Sequence, residues 1–510
     1  MNGAAAATST MSWGSVAGIG LLVATVLVQL ALGADVLVLA LSVTSVMLGL
    51  YPIVYLGRDI YTCFAALFTF RYAGGVLFAK TLYGQPVDSL LREPLSSYAL
   101  AMVLIAVVVG LTMLARRWDR GTTVFPALGS LNDVRQVGLL AYLVGAAAGV
   151  IVGLLVKRDV DGANTGAVFV IASALMNLVY LGYASEIIYN VHKTNKRSLI
   201  STRLAGMLAF TISLALFLNV RSIAVNSVLC IFFAAFLLRA LRIHHLGLGL
   251  VMAFVFSSYV SPLALELRTI KEGKTATEFA SEVVELVSRT VTEPGLIGEL
   301  QRKEAFRSRF DSGTSQYDYF GDGSNILNRL AFVALLDSVY SQTKVLNPIG
   351  TKALTDQVIP RIMPGFLVEK EARAYGYGDW LSWELGIAES GRISFLSFPL
   401  PVEGVAVFGP LIGVTIWPFM LMLPMLLVLG RVSSLLYITP TSLFLLSALH
   451  WDLVEALSDG YIAMLTRGLP ITVIPAWCLY WFWGQRSRAA TASRSLPAPG
   501  GQARAGLGQA

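Results

Sequence analysis

The sequence predicts an all-α polytopic membrane protein: about 12 transmembrane helices, with one large helical loop outside the membrane between the ninth and the tenth. Three observations lead there. Of 510 residues, 55% are hydrophobic and 14% charged, whereas a soluble domain carries roughly 25% charged residues. About a dozen windows are long and apolar enough to span a bilayer, where only a helix of ~20 residues satisfies its own backbone groups. Finally, the apolar pattern stops at residue 267 and resumes near residue 402.

Taken in order, the windows lie near 13–32, 35–56, 62–82, 97–115, 137–156, 167–189, 203–219, 222–240, 246–265, 403–429, 433–450 and 468–484. The third and eleventh are the most polar. Arg71 and Lys80 fall inside the third, and the eleventh runs into His450, Asp452 and Glu455. No window resembles a neighbour at a fixed period, so the inverted repeat common in transporters is not predicted. The start, MNGAAAATSTMSWGS, lacks a basic stretch, so the first helix is expected to stay rather than be cleaved as a signal peptide.

Lys and Arg collect in short cytoplasmic loops. ARRWDR (115–120), HKTNKR (192–197), RALRIHH (239–245) and the tail with Arg486, Arg488, Arg494 and Arg504 are therefore expected on one side, the cytoplasmic one, together with both termini. That places 267–402 on the opposite side. Four regions follow: 1–266 with nine helices, the 267–402 loop domain, 403–484 with three helices, and a disordered Ala, Gly, Pro and Ser-rich tail at 485–510. The loop is slightly acidic, so the net charge of +7 belongs to the rest of the chain. It reads as a topology signal and not as a nucleic-acid surface.

Cys63, Cys230 and Cys478 all sit in apolar windows, and His192, His244, His245 and His450 all lie outside the loop. No thiolate metal site, other metal-ligand cluster or cofactor motif is predicted, and the loop domain is expected to be held by packing.

A stretch as long as 267–402 needs structure of its own. TATEFASEVVELVSRTV (275–291) places Phe279, Val283, Leu286 and Val287 on one helical face. NILNRLAFVALLDSVYSQT (325–343) is apolar nearly all round, which predicts a helix that is buried or lies on lipid, with Arg329 near its start. Between them, FDSGTSQYDYFGDGSN combines Tyr317, Tyr319 and Phe320 with Asp318 and Asp322. Aromatic faces beside carboxylates suit a sugar, and an ordinary surface turn has the same composition.

IPRIMPGFLVEKEARAYGYGDW (359–380) is the most polar stretch near the next helix. Pro360 and Pro364 bracket Arg361 and are expected to present Arg361 and Lys370 on irregular backbone, where guanidinium and ammonium groups suit diphosphate oxygens. Solvated surface cations would read the same way. Asp379 closes this stretch. Glu403 marks the return to the membrane in SFPLPVEGVAVFGPLIG (397–413), and a carboxylate at that depth is a functional candidate. Gly409 and Gly413, four apart, allow close helix contact. In FLNVRSIAVN (217–226), Arg221 is expected at the end of two helices joined by almost no loop, either snorkelling or reaching a site.

The NVRS turn, the Arg-bearing loop helix, the IPR...P...K stretch and SFPLPVEGVAVFGPLIG together resemble the bacterial O-antigen and exopolysaccharide polymerases, the Wzy-like family. The specific part of the likeness covers roughly 217–226 and 325–413. It implies a glycosyltransferase of the inner membrane with a periplasmic loop, acting on undecaprenyl-diphosphate-linked oligosaccharides, with a chain-length regulator as a further partner. On that reading Arg221, Arg329 and Arg361 hold the diphosphate with support from Lys370. Glu403 is the first candidate for general base, ahead of Asp318, Asp322 and Asp379, and Arg71 reaches the carrier phosphate, Glu403 or an inward carbonyl. The related O-antigen ligases carry a catalytic loop histidine, which 267–402 lacks. A lipid-linked oligosaccharide flippase would spread buried charge over several helices and related halves.

Overall fold

A computed structural model describes residues 13–155, 167–196, 198–218, 221–241, 259, 262–263, 266–267, 270, 276–293, 295–311, 319–320, 331–363, 375–391 and 398–495. The described chain is helical, and its only β pairing is the isolated bridge Thr123–Ser433. Seven of its helices are long and apolar enough to cross a membrane: Val36–Tyr55, Ile60–Leu82, Pro94–Trp118, Leu131–Gly153, Ile171–Lys193, Pro410–Val432 and Ser458–Arg486. The molecule is a multi-pass membrane protein.

These seven match seven of the twelve expected windows. Three more windows are shorter apolar helices, Gly18–Ala31, Thr202–Leu218 and Ile223–Leu237. The window 246–265 lies mostly outside the described residues. The eleventh becomes Pro440–Glu455, which carries its polar end as continuous helix. The polar third window is the most enclosed of the seven, 72% buried. Its Arg71 faces neighbouring helices, where an ionisable group inside a bundle belongs, and its buried Lys80 donates to Gln85 and Ser89 just beyond its own helix.

Small residues set the closest helix approaches, as expected where lipid supplies no hydrophobic drive between helices. A Cβ on Gly145 would lie 2.7 Å from the Val179 backbone nitrogen, and one on Gly182 would lie 2.5 Å from Cβ of Tyr142. Helices Leu131–Leu155 and Leu178–Lys193 therefore pack almost backbone to backbone.

One end of the bundle is closed by ion pairs. Arg116 Nε donates to Asp59 at 2.7 Å, and Arg135 forks onto Glu186 at 2.9 and 3.0 Å. Asp119 accepts from Tyr61 Oη, Ser434 Oγ and the Leu435 amide.

The other end carries Phe332–Leu346, from the stretch expected to form the loop. Ala276–Thr292 buries Phe279 and Leu286 as expected, while Val287 is exposed. Phe332–Leu346 is the buried alternative of the two expected for its segment, with Val333, Leu336 and Val339 in the core. Its Asp337 is also buried, and it accepts from the amides of Arg92 and Glu93 and from Ser97 Oγ, each at 2.8 Å. This carboxylate rivets the loop domain to the start of Pro94–Trp118.

The expected tenth helix is broken. Leu400–Phe408 ends at Gly409, whose φ of 86° and ψ of 173° suit glycine alone, and Pro410 opens the next helix. The chain folds back so tightly that a Cβ on Gly413 would meet the Val405 nitrogen at 2.2 Å and the Gly404 carbonyl carbon at 2.3 Å. Of the two glycines expected to allow close helix contact, Gly413 makes it, against Gly404, while Gly409 is the hinge. The Ile349 and Gly350 amides donate to the carbonyls of Ala406 and Val407 at 2.9 and 3.0 Å, satisfying groups that a helix end leaves unpaired.

Candidate functional site

Several chain segments converge at the loop-bearing end: the middle of Ile60–Leu82, the stretches 354–363 and 375–384, the fold-back after 398, and the turn that joins Pro440–Glu455 to Ser458–Arg486. Three π turns stand at this junction: Phe70–Gly74, Leu354–Val358 and Met464–Gly468. A π turn widens the helix, re-aims side chains and recurs at functional sites.

The first π turn carries Arg71. Its guanidinium is buried, lies 4.5 Å from the Phe332 ring centre and 5.0 Å from that of Trp451, and is ion-paired with Glu455. Two aromatic faces and one carboxylate are a favourable setting for a buried cation. The expected contact with Glu403 is not made, because Glu455 reaches Arg71 from the end of its own helix. Trp451 is fixed in turn by its indole N–H, which donates to Asn226 Oδ1 on the helix Arg221–Leu237.

The second π turn leads into Arg361. Here the expectation of irregular backbone is corrected: Ile359–Ile362 is helical, with Pro360 at its opening. The widened turn before it accommodates a proline that lacks an amide donor. Only Met363 becomes extended (ψ 142°), as the residue before Pro364 must. Arg361 Nη2 donates to the Tyr375 carbonyl at 3.3 Å, and Arg467 in the third π turn donates to the Ile362 carbonyl at 2.8 Å.

Glu403 lies at the centre and is fully buried. Ser458 holds it twice: the amide donates to Oε2 at 2.6 Å and the hydroxyl to Oε1 at 2.5 Å. Ser458 opens the last spanning helix, so a carboxylate from another helix satisfies one of the amides that a helix N-terminus leaves unpaired, where the helix dipole favours negative charge. Among the described residues Glu403 forms no ion pair. Tyr377 is also buried, and Glu403, Asp459 and Arg361 all lie within its electrostatic reach. Its hydroxyl has no hydrogen-bond partner of good geometry among the described residues. Asp459 accepts from the Gly460 amide at 2.8 Å and neighbours both Arg361 and Glu403.

The remaining expected site residues divide into three groups. Arg329, Lys370, Tyr317, Asp318 and Asp322 lie outside the described residues. Arg221 begins the helix that carries Asn226, which brings its backbone within about one and a half turns of the Trp451 contact. Tyr319 and Asp379 are buried in local roles. The Tyr319 hydroxyl bonds the Val87 carbonyl and its ring packs 4.0 Å from Lys80 Nζ, so it offers no open face to a sugar. Burial, with the Tyr98 hydroxyl and nearby acids, holds the Tyr319 phenol well above its usual range. Asp379 accepts from the Gly376 amide at 3.0 Å and stabilises the start of Tyr377–Glu384.

Glu455, Ser458, Asp459, Trp451 and Tyr377 were not singled out from sequence as site residues. The signal was the density of polar groups in HWDLVEALSDGY (450–461), directly after an apolar run. Among the described residues no group of three or more His, Cys, Asp or Glu side chains is arranged to hold a metal ion. No protein-family model, curated protein or solved structure matches the chain.

Proposed function

We propose that this protein is a membrane glycosyltransferase that polymerises undecaprenyl-diphosphate-linked oligosaccharide repeat units on the periplasmic face of the bacterial inner membrane. The observation that carries this reading is the meeting of Arg361, Glu403 and Asp459 at the loop-bearing end of a membrane bundle, with Arg71 buried on a neighbouring helix. Transfer from a lipid diphosphate needs cations for the departing diphosphate and a carboxylate for the attacking hydroxyl, both at the depth where a lipid-linked substrate lies. The likeness of NVRS, IPR...P...K and SFPLPVEGVAVFGPLIG to the Wzy-like polymerases points the same way. In this reading the chain crosses the membrane about 12 times with both termini cytoplasmic. Arg221, Arg329 and Lys370 join Arg361 around the diphosphate, and a chain-length regulator sets product size.

The test is to delete the gene and separate surface and lipid-linked glycans by size. Loss of long chains, with single repeat units still reaching the outer face, supports a polymerase. Long chains that accumulate unattached on the lipid carrier identify a ligase instead. Lipid-linked units trapped on the cytoplasmic side identify a flippase.

A further inference from the structure

We infer that Asp459 is the catalytic base of the transfer and that Glu403 is a positioning residue that fixes the turn presenting it. The inference rests on the polymerase reading above and assigns the carboxylates within that site.

Two carboxylates stand at the junction in different circumstances. Glu403 has no exposed surface, and each of its oxygens is taken by a donor of Ser458, one the amide and one the hydroxyl. For an acceptor hydroxyl to reach it, the N-terminus of Ser458–Arg486 would have to give up its capping carboxylate and expose an amide. Asp459 is the next residue along. It is half-buried, and one oxygen accepts from the Gly460 amide while the other makes no hydrogen bond among the described residues.

Asp459 also has the right neighbours. The short helix Ile359–Ile362 packs on the helix Ser458–Ala463 and brings Arg361 near, yet no ion pair within 4 Å joins Asp459 to a cation among the described residues. A guanidinium and a carboxylate from two packed helices are thus brought into the same neighbourhood without an ion pair between them. The buried Tyr377 lies beside Glu403 and within electrostatic reach of both Asp459 and Arg361. A diphosphate placed against Arg361 would put the sugar it carries on the Asp459 side.

The step then balances. The acceptor hydroxyl oxygen forms a bond to the anomeric carbon of the donor glycan, and its proton passes to the Asp459 carboxylate. The bond from that carbon to the diphosphate oxygen breaks, and the polyprenyl diphosphate departs with the electron pair, facing Arg361.

The experiment returns wild type, D459N, E403Q and S458A to a strain lacking the gene. It reads glycan length in cells and the melting temperature of each purified full-length protein in detergent. D459N is expected to lose ~100-fold or more of long-chain product while melting like wild type. E403Q and S458A are expected to melt lower and to lose product in proportion to the folded protein lost. Long chains within a few-fold of wild type in D459N would overturn the assignment. So would a fall in D459N melting equal to that of E403Q, since it would make Asp459 structural. If deleting the gene leaves long chains intact, the polymerase reading itself fails, and the result is distinguishable because it involves no variant.

Discussion

The two ends of the bundle treat their carboxylates differently. At the closed end, Asp59 has Arg116, Glu186 has the fork of Arg135 with Ser201, and Asp119 has four donors. At the loop-bearing end, Glu403 and Asp459 are held by hydrogen bonds with no ion pair among the described residues, while Arg71 is paired with Glu455 between two rings. Charges paired at short range stabilise a fold, but they have little left to offer a ligand. Carboxylates held only by amides and a hydroxyl keep a charge that no cation compensates.

The contrast can be strained hardest at the fold-back. Gly413→Ala forces a methyl into backbone atoms of Gly404 and Val405 that cannot rotate away. It should cost ~3 kcal/mol or more, the upper range for overpacking, and should reduce folded protein in membranes. Gly206→Ala is its control, because nothing lies within 4 Å of that position, and it should be neutral or gain up to ~1 kcal/mol of helix propensity. Equal melting temperatures for the two variants would show that the fold-back is not as close as described.

Next in size is Arg71. Arg71→Ala leaves Glu455 without its cation and should destabilise by ~3 kcal/mol. Arg71→Ala combined with Glu455→Ala should recover part of that loss in thermal unfolding while product formation stays abolished. A double variant that regained activity would make the pair purely structural, like those of the closed end.

Glu186→Gln tests the closed end directly. It weakens the fork from Arg135 and should cost ~2 kcal/mol, within the range for hydrogen bonds to charged groups. Activity per folded molecule should be unchanged, and a drop in that quantity would erase the distinction between the ends. The smallest expected effect is Asp379→Ala, ~1 kcal/mol for a lost helix-capping acceptor. A complete loss of product at full stability would return Asp379 to the chemical site.

Several of these features were legible in the chain. The windows containing Val36–Tyr55 and Pro94–Trp118 are long and apolar, so lipid alone dictates their helicity. Glu403 and Arg361 stood out because charge beside a membrane-entry segment is costly to keep without a use. Asp459 and Ser458 did not, because serine and aspartate after a helix also make an ordinary cap or turn. Only the contact with Glu403, 55 positions away, separates the two cases.

Composition and apolar run length by themselves determined that this chain is helical and crosses a membrane several times, because a bilayer leaves the backbone almost no other solution. The tertiary structure decided which charges meet. Arg71 chose Glu455 over Glu403, Gly413 packed on Gly404 across the hinge at Gly409, and Ser458 took both oxygens of Glu403. Each contact is fixed by a π turn, a glycine hinge or a helix start, and no local pattern specifies the partner on the far side of such a device.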